Sequence, residues 1–146
     1  MVRACCRRRP PIIWRRVEQV PAGDVTQSQR AEFEQLLRHA ESMSGLTFSL
    51  YLGPWTGGRA GAEALLDRLA DPDRSVVVAV DPAARELEIV TGRLARIALD
   101  DRACGLAAMS MTSSFTNGDL IGGLRDGLTV LGEQGRRNRV EYVAQD

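Results

Sequence analysis

The stretch "SVVVAVD", positions 75 to 81, leaves this chain little choice of fold. Val76 to Val80 are apolar at every position. Side chains alternate between the two faces of a strand, so both faces of this one must be covered. A sheet with one wet face is thereby excluded. The spacing predicts a central strand with helices on both sides.

The neighbouring segments set the topology. Asp81-Pro82-Ala83-Ala84 predicts a turn, and "ELEIVT" returns antiparallel with Leu87 and Ile89 inward, closing at Thr91-Gly92. Upstream, residues 46–52 alternate: Leu46, Phe48, Leu50 and Leu52 face one way, Thr47, Ser49 and Tyr51 the other. That is a strand with one more apolar face. Between the two lies a helix over about 59–70, with Ala62, Leu65, Leu66 and Leu69 inward. "ADPDRS" ends it, because the residue before Pro72 disfavours helix. Strand, helix, strand predicts a parallel pair with a right-handed crossover.

The flanks are helical. Residues 26–43 place Phe33, Leu36, Leu37 and Ala40 on one face, with Thr26 and Gln29 as a capping box and Gly45 as the stop. A helix rich in small residues is expected from about Asp101 to Met111, capped by Asp100, with "SSFTNG" as a break. A last helix starts at Asp119, with Ile121, Leu124, Leu128 and Leu131 on its inner stripe, and Gly135 ends it. The order α-β-α-β-β-α-α predicts an α/β protein. It is an αβα sandwich whose small mixed sheet, a parallel pair plus an antiparallel hairpin, is covered on both faces.

At 146 residues and 44% hydrophobic, the chain suits one domain with one core. The reading is a disordered basic arm over 1–22, the domain over 23–136 and a flexible tail over 137–146. The formal net charge is zero, so no whole-protein field draws in nucleic acid. The balance is uneven. The first 20 residues carry six arginines (Arg3, Arg7, Arg8, Arg9, Arg15, Arg16) against Glu18, which leaves the remainder net acidic by five. Three cysteines, two of them adjacent, make no disulfide framework. Reduced thiols fit a cytoplasmic protein. No run approaches the ~20 apolar residues of a membrane helix. The expectation is a monomer with no sequence-specific nucleic-acid site and with room for a protein partner at Tyr51, Trp55 and the arm.

In the strand ending at Asp81, the hairpin "DPAARELEIVTG", the acidic helix start "LDD" and "FTNGDLIGGLRDGLTVLGEQ", the chain resembles the TPM-domain family, in particular its small actinobacterial relatives without a membrane anchor. The resemblance covers about residues 26–134. It implies an αβα-sandwich module. It also implies links, known for some members, to acid phosphatase activity, photosystem maintenance and calcium binding.

Two clusters are candidates for chemistry. "GPWTGGRA", Gly53 to Ala60, has glycines at the spacing of a phosphate loop, but Arg59 stands for its Lys and Ala60 for its Mg²⁺-holding hydroxyl. Nucleotide hydrolysis is excluded on those departures. An anion site from Gly53, Gly57, Gly58 and Arg59 at a helix start survives beside a plain turn and cap. The second cluster is acidic. Parallel strands put Asp81 at the edge of the Gly53 loop, and a returning helix delivers Asn117, Gly118 and Asp119 to that edge. Carboxyl ends of strands are where open α/β sheets bind ligands. Oxygen ligands from Asp81, Asn117 and Asp119 suit Ca²⁺ or Mg²⁺. The competing reading gives Asp81 a turn and Asp119 a cap. His39 has no triad partner and reads as a surface residue. The functional expectation is a cation-binding module with weak or no catalysis; the alternative is a metal-assisted acid phosphomonoesterase.

Overall fold

A computed structural model describes residues 27–81 and 84–145, with side chains as far as Asn138. The basic arm and the Thr26 cap lie outside the described residues. Within them the chain forms α1 (Gln27–Ser44), β1 (Thr47–Leu52), α2 (Gly58–Asp67), a 3₁₀ turn (Pro72–Arg74), β2 (Ser75–Asp81), β3 (Glu86–Thr91), α3 (Ala95–Ala98), α4 (Asp101–Thr116) and α5 (Leu120–Gln145).

The sheet is mixed, in the order β1-β2-β3. β1 runs parallel to β2, with Leu50 beside Val78. β2 runs antiparallel to β3, with Val78 beside Ile89 and Asp81 beside Glu86. All of β2 is buried, as its two apolar faces require. The strands feed two separate cores. Phe48, Leu50, Val76, Val78, Val80 and Ile89 pack with residues of α1, α3, α4 and α5. Tyr51, Val77, Ala79 and Val90 pack with Ala62, Leu65 and Leu66 of α2. The Ser49–Tyr51 face of β1, polar by sequence, is therefore buried as well.

Helix ends follow local chemistry. Gly45 takes a left-handed φ of 78° and donates its amide to Glu41 at 2.8 Å, which stops α1. Asp100 caps α4 by accepting the Ala103 amide at 2.9 Å. Two boundaries differ from expectation. α4 continues through "SSFT" to Thr116, because Thr116 Oγ1 donates back to the Thr112 carbonyl at 2.8 Å and Phe115 packs on the core. α5 does not stop at Gly135 but runs to Gln145. Gly135 serves close packing instead: a Cβ there would lie 2.6 Å from Ser44 Cβ. Beyond it, Asn138 donates an amide hydrogen bond to the Ala98 carbonyl. The short α3 is a further element that periodicity did not reveal.

α1 and α5 run parallel. Glu32 meets Arg125, Ala40 meets Gly132 and Ser44 meets Gly135. The N-terminal ends of the two helices therefore lie side by side.

Candidate functional site

Leu52 and Asp81 end β1 and β2 at the same sheet edge, tied by the Gly53 amide donating to the Val80 carbonyl at 2.9 Å. At this edge a cleft of about 410 Å³ opens between the hairpin and the α4–α5 turn. Val80, Leu87, Phe115 and Leu120 supply apolar wall; Asp81, Arg85, Glu86, Thr112 and Thr116 supply polar groups, and Gly118 sits at the turn. The size lies in the usual range for small-ligand sites, roughly 300–1,000 Å³. Topology thus brings Asp81 and the Asn117–Asp119 turn to one edge, as the strand order predicts.

Side-chain direction divides them. Val77 and Ala79 belong to the α2 core, so alternation turns the Asp81 side chain to that side of the sheet as well. Tyr51 records its presence: its phenol is pushed above the ordinary value, first by burial and then by the charge of Asp81. Asp81 Oδ1 accepts the Ala84 amide at 3.3 Å, which is the turn-initiating role. Asp119 lies on the other side of the sheet, exposed, with Oδ1 accepting the Gly122 amide at 2.8 Å as the α5 cap. Asn117 is the exposed C-terminal cap of α4. A cation shared by Asp81, Asn117 and Asp119 would draw its oxygens from both sides of the sheet. Among the described residues, no group of three or more His, Cys, Asp or Glu side chains is arranged to hold a metal ion.

The glycine loop is held from within. Gly53, Gly57 and Gly58 have φ of 148°, 91° and 57°, conformations that suit glycine. Tyr51 donates its hydroxyl to the Pro54 carbonyl at 2.5 Å, and Trp55 its indole N–H to the Gly58 carbonyl at 2.8 Å. Arg59 reaches Glu88 at 3.2 Å and Glu63 at 3.8 Å. Two carboxylates thus compete with any anion for that guanidinium.

His39 is exposed on α1. The Cys104 thiol is pushed up to about 11, chiefly by burial and next by Asp101. It is protonated at neutral pH and is a poor nucleophile.

Periodicity alone does not mark most of the cleft: Arg85, Glu86, Leu87, Thr112, Phe115, Thr116 and Leu120. Two signals in the chain point there. Arg85 closes the hairpin turn at φ 58°, a left-handed position where a bulky residue is uncommon. From Ala103 to Gly118 there is no charged residue.

A family profile described as "Domain of unknown function (DUF5130)" matches residues 15–132. The chain belongs to the DUF5130 family. Two "Uncharacterized protein" relatives from Mycobacterium tuberculosis, MT2543 of strain CDC 1551 and Rv2468c of strain H37Rv, are each 28% identical over 99 residues. That match takes in 67% of this chain and 59% of each relative, so the chain spans less than two thirds of their length. The solution NMR structure of the N-terminal domain of a P. gingivalis protein superposes with a TM-score of 0.67 at 16% identity, over 77% of each chain. This shows a shared fold for the DUF5130 domain. The family match begins at Arg15, before the domain start at 23 expected from sequence. No helix among the described residues is long and apolar enough to cross a membrane.

Proposed function

We propose that this DUF5130 domain is a non-catalytic binding module whose ligand has an apolar body and a cationic head. One observation carries the reading. The cleft has an apolar wall of Val80, Leu87, Phe115 and Leu120, in a chain whose residues from 21 onward are net acidic by five. An apolar pocket with a few placed polar groups is the ordinary form of a small-ligand site. The hairpin and the "FTNGDLIGG" turn that border it are also segments on which the TPM resemblance rests. Among the described residues, no nucleophile with an adjacent base supports the phosphomonoesterase reading. The binding reading goes with a monomeric cytoplasmic protein.

The test is amide NMR of the full chain with n-octylamine below its micellar concentration and octanoate as the charge-reversed control. Octylamine is expected to move Leu87, Phe115 and Gly118, with octanoate weaker. Leu87→Arg, which fills the cleft with a positive side chain, removes the response. Equal silence toward both probes would end this reading.

A second reading, binding of Ca²⁺ or Mg²⁺, is supported by one pairing. Asp81 and Glu86 stand directly opposite each other across the hairpin. Like charges so placed destabilise a strand pair, and a divalent cation would relieve that. At millimolar calcium the melting temperature then rises. Asp81→Asn and Glu86→Gln each abolish the rise, and Asp119→Asn leaves it. Loss with Asp119→Asn instead would restore the set expected from sequence. An unchanged wild-type melting temperature removes the cation.

A further inference from the structure

We infer that the cleft is the docking site of the chain's own N-terminal arm, with Ile12-Ile13-Trp14 against Leu87, Phe115 and Leu120. The inference rests on the cleft being a binding site and names its resident occupant.

Three observations converge. The first is where the arm leaves the domain. Glu32 pairs with Arg125, Ala40 with Gly132 and Ser44 with Gly135 along parallel helices. Tracing that register back one turn and a half sets Gln27 level with the start of α5. Leu120, the first residue of α5, lines the cleft. The chain before Gln27 therefore sets out beside the site.

The second is reach. Twelve residues, 15–26, separate Trp14 from Gln27. Extended, they span about 40 Å, far more than the distance from Leu120 across a cleft of this size. A tether that short holds its end at an effective concentration on the order of millimolar.

The third is chemistry. "IIWRR" is an apolar group followed by two positive charges, in an arm with six arginines and one glutamate across its first 20 residues. The cleft offers an apolar wall of Val80, Leu87, Phe115 and Leu120 for the apolar group. The rest of the chain is net acidic by five, so the wider field also favours the arm.

The arm then acts as a tethered competitor. At a millimolar effective concentration, an intrinsic dissociation constant about tenfold below it suffices to fill the cleft about 90% of the time. An external ligand binds about tenfold more weakly than its intrinsic affinity.

The experiment compares the full chain with a full-length variant carrying Ile12→Ser, Ile13→Ser and Trp14→Ser. In the variant, the Leu87, Phe115 and Gly118 amides shift and octylamine binds about tenfold more tightly. A peptide of residues 10–20, added in trans at millimolar concentration, returns the shifts toward those of the unmodified chain. Arg15→Glu with Arg16→Glu moves the same resonances in the same direction. Identical cleft resonances and identical octylamine affinity in both chains overturn the inference while leaving the binding module intact. Failure of octylamine in both chains strikes the binding module itself. Cleft shifts that fade on dilution assign the occupant to a second copy and overturn the tethered arm. Shifts confined to Leu50 and Leu52 place the arm along β1 and overturn it too.

Discussion

The two faces of this sheet carry similar side chains and receive very different cover. On one, the Val76, Val78 and Val80 side chains meet α1, α3, α4 and α5. On the other, among the described residues, Val77 and Ala79 meet the ten-residue α2, with Trp55 and Leu69 at its margin. Valines of equal burial thus sit in layers of unequal depth. Alternation along a strand says that a face is covered; it does not say by how much. The deep layer has helices to spare, and where α4 turns into α5 it overhangs the hairpin and leaves the cleft.

The contrast can be broken at its centre. Val78→Asp buries an unpaired charge at full burial in the deep layer, at a cost of several kcal/mol. It is expected to abolish cooperative thermal unfolding. A soluble variant with the wild-type melting temperature would remove β2 from the centre. Next in size is a matched pair of truncations. Leu128→Ala, in the deep layer, should cost about 3–4 kcal/mol in denaturant unfolding. Leu66→Ala, 7% exposed at the margin of α2, should cost about 2 kcal/mol or less. Equal losses would erase the difference between the layers. Ser49 sharpens the thin side. Its hydroxyl is fully buried with no hydrogen-bond partner among the described residues. Ser49→Ala should stabilise by about 1 kcal/mol, since an unsatisfied buried polar group is removed. Destabilisation by the same amount would mean that the hydroxyl has a partner.

The smallest effect is alkaline. Burial raises the Cys104 thiol in the deep layer from its ordinary 9.0 to about 11, and raises the Tyr51 phenol in the thin layer. In each case the unfolded chain loses its proton first. The stability is fully present below the unfolded pKa and is lost as pH climbs through the folded one. For Cys104 that window runs from about 9 to about 11. The melting temperature should fall across it, and Cys104→Ala should flatten part of the fall. A fall unchanged by Cys104→Ala but flattened by Tyr51→Phe would move the effect to the α2 side.

Much of the architecture was legible because the strongest signals are local. Five apolar residues in a row, a turn at Asp81-Pro82 and a cap at Asp100 each act within a few residues of themselves. The features that escaped act across the fold. Gly135 resembles a helix stop in sequence, yet its missing Cβ admits Ser44 of α1. "SSFT" looks like a break, yet Thr116 folds its hydroxyl back onto Thr112. The edge that gathers Asp81 and Gly118 came from strand order alone. Which side of the sheet each carboxylate serves did not, because edge and face are independent: Asp81 shares a side with Ala79, and Asp119 belongs to the helices opposite. Leu87 reads as an inward strand position and Phe115 falls in the expected break, and nothing local marks either as the border of a cleft.

The parallel course of α1 and α5 has a mechanical consequence. Among the described residues, the first and last helices lie side by side and point the same way, so Gln27 sits beside the cleft and Gln145 at the far end of α5. With 26 residues, α5 carries the exit about 39 Å along its axis. Tension applied through Gln27 and Gln145 would slide these helices past each other instead of peeling them apart. Every contact from Glu32–Arg125 to Ser44–Gly135 would then resist together, and the domain should yield at higher force when pulled by its ends than when pulled across the β2–β3 hairpin.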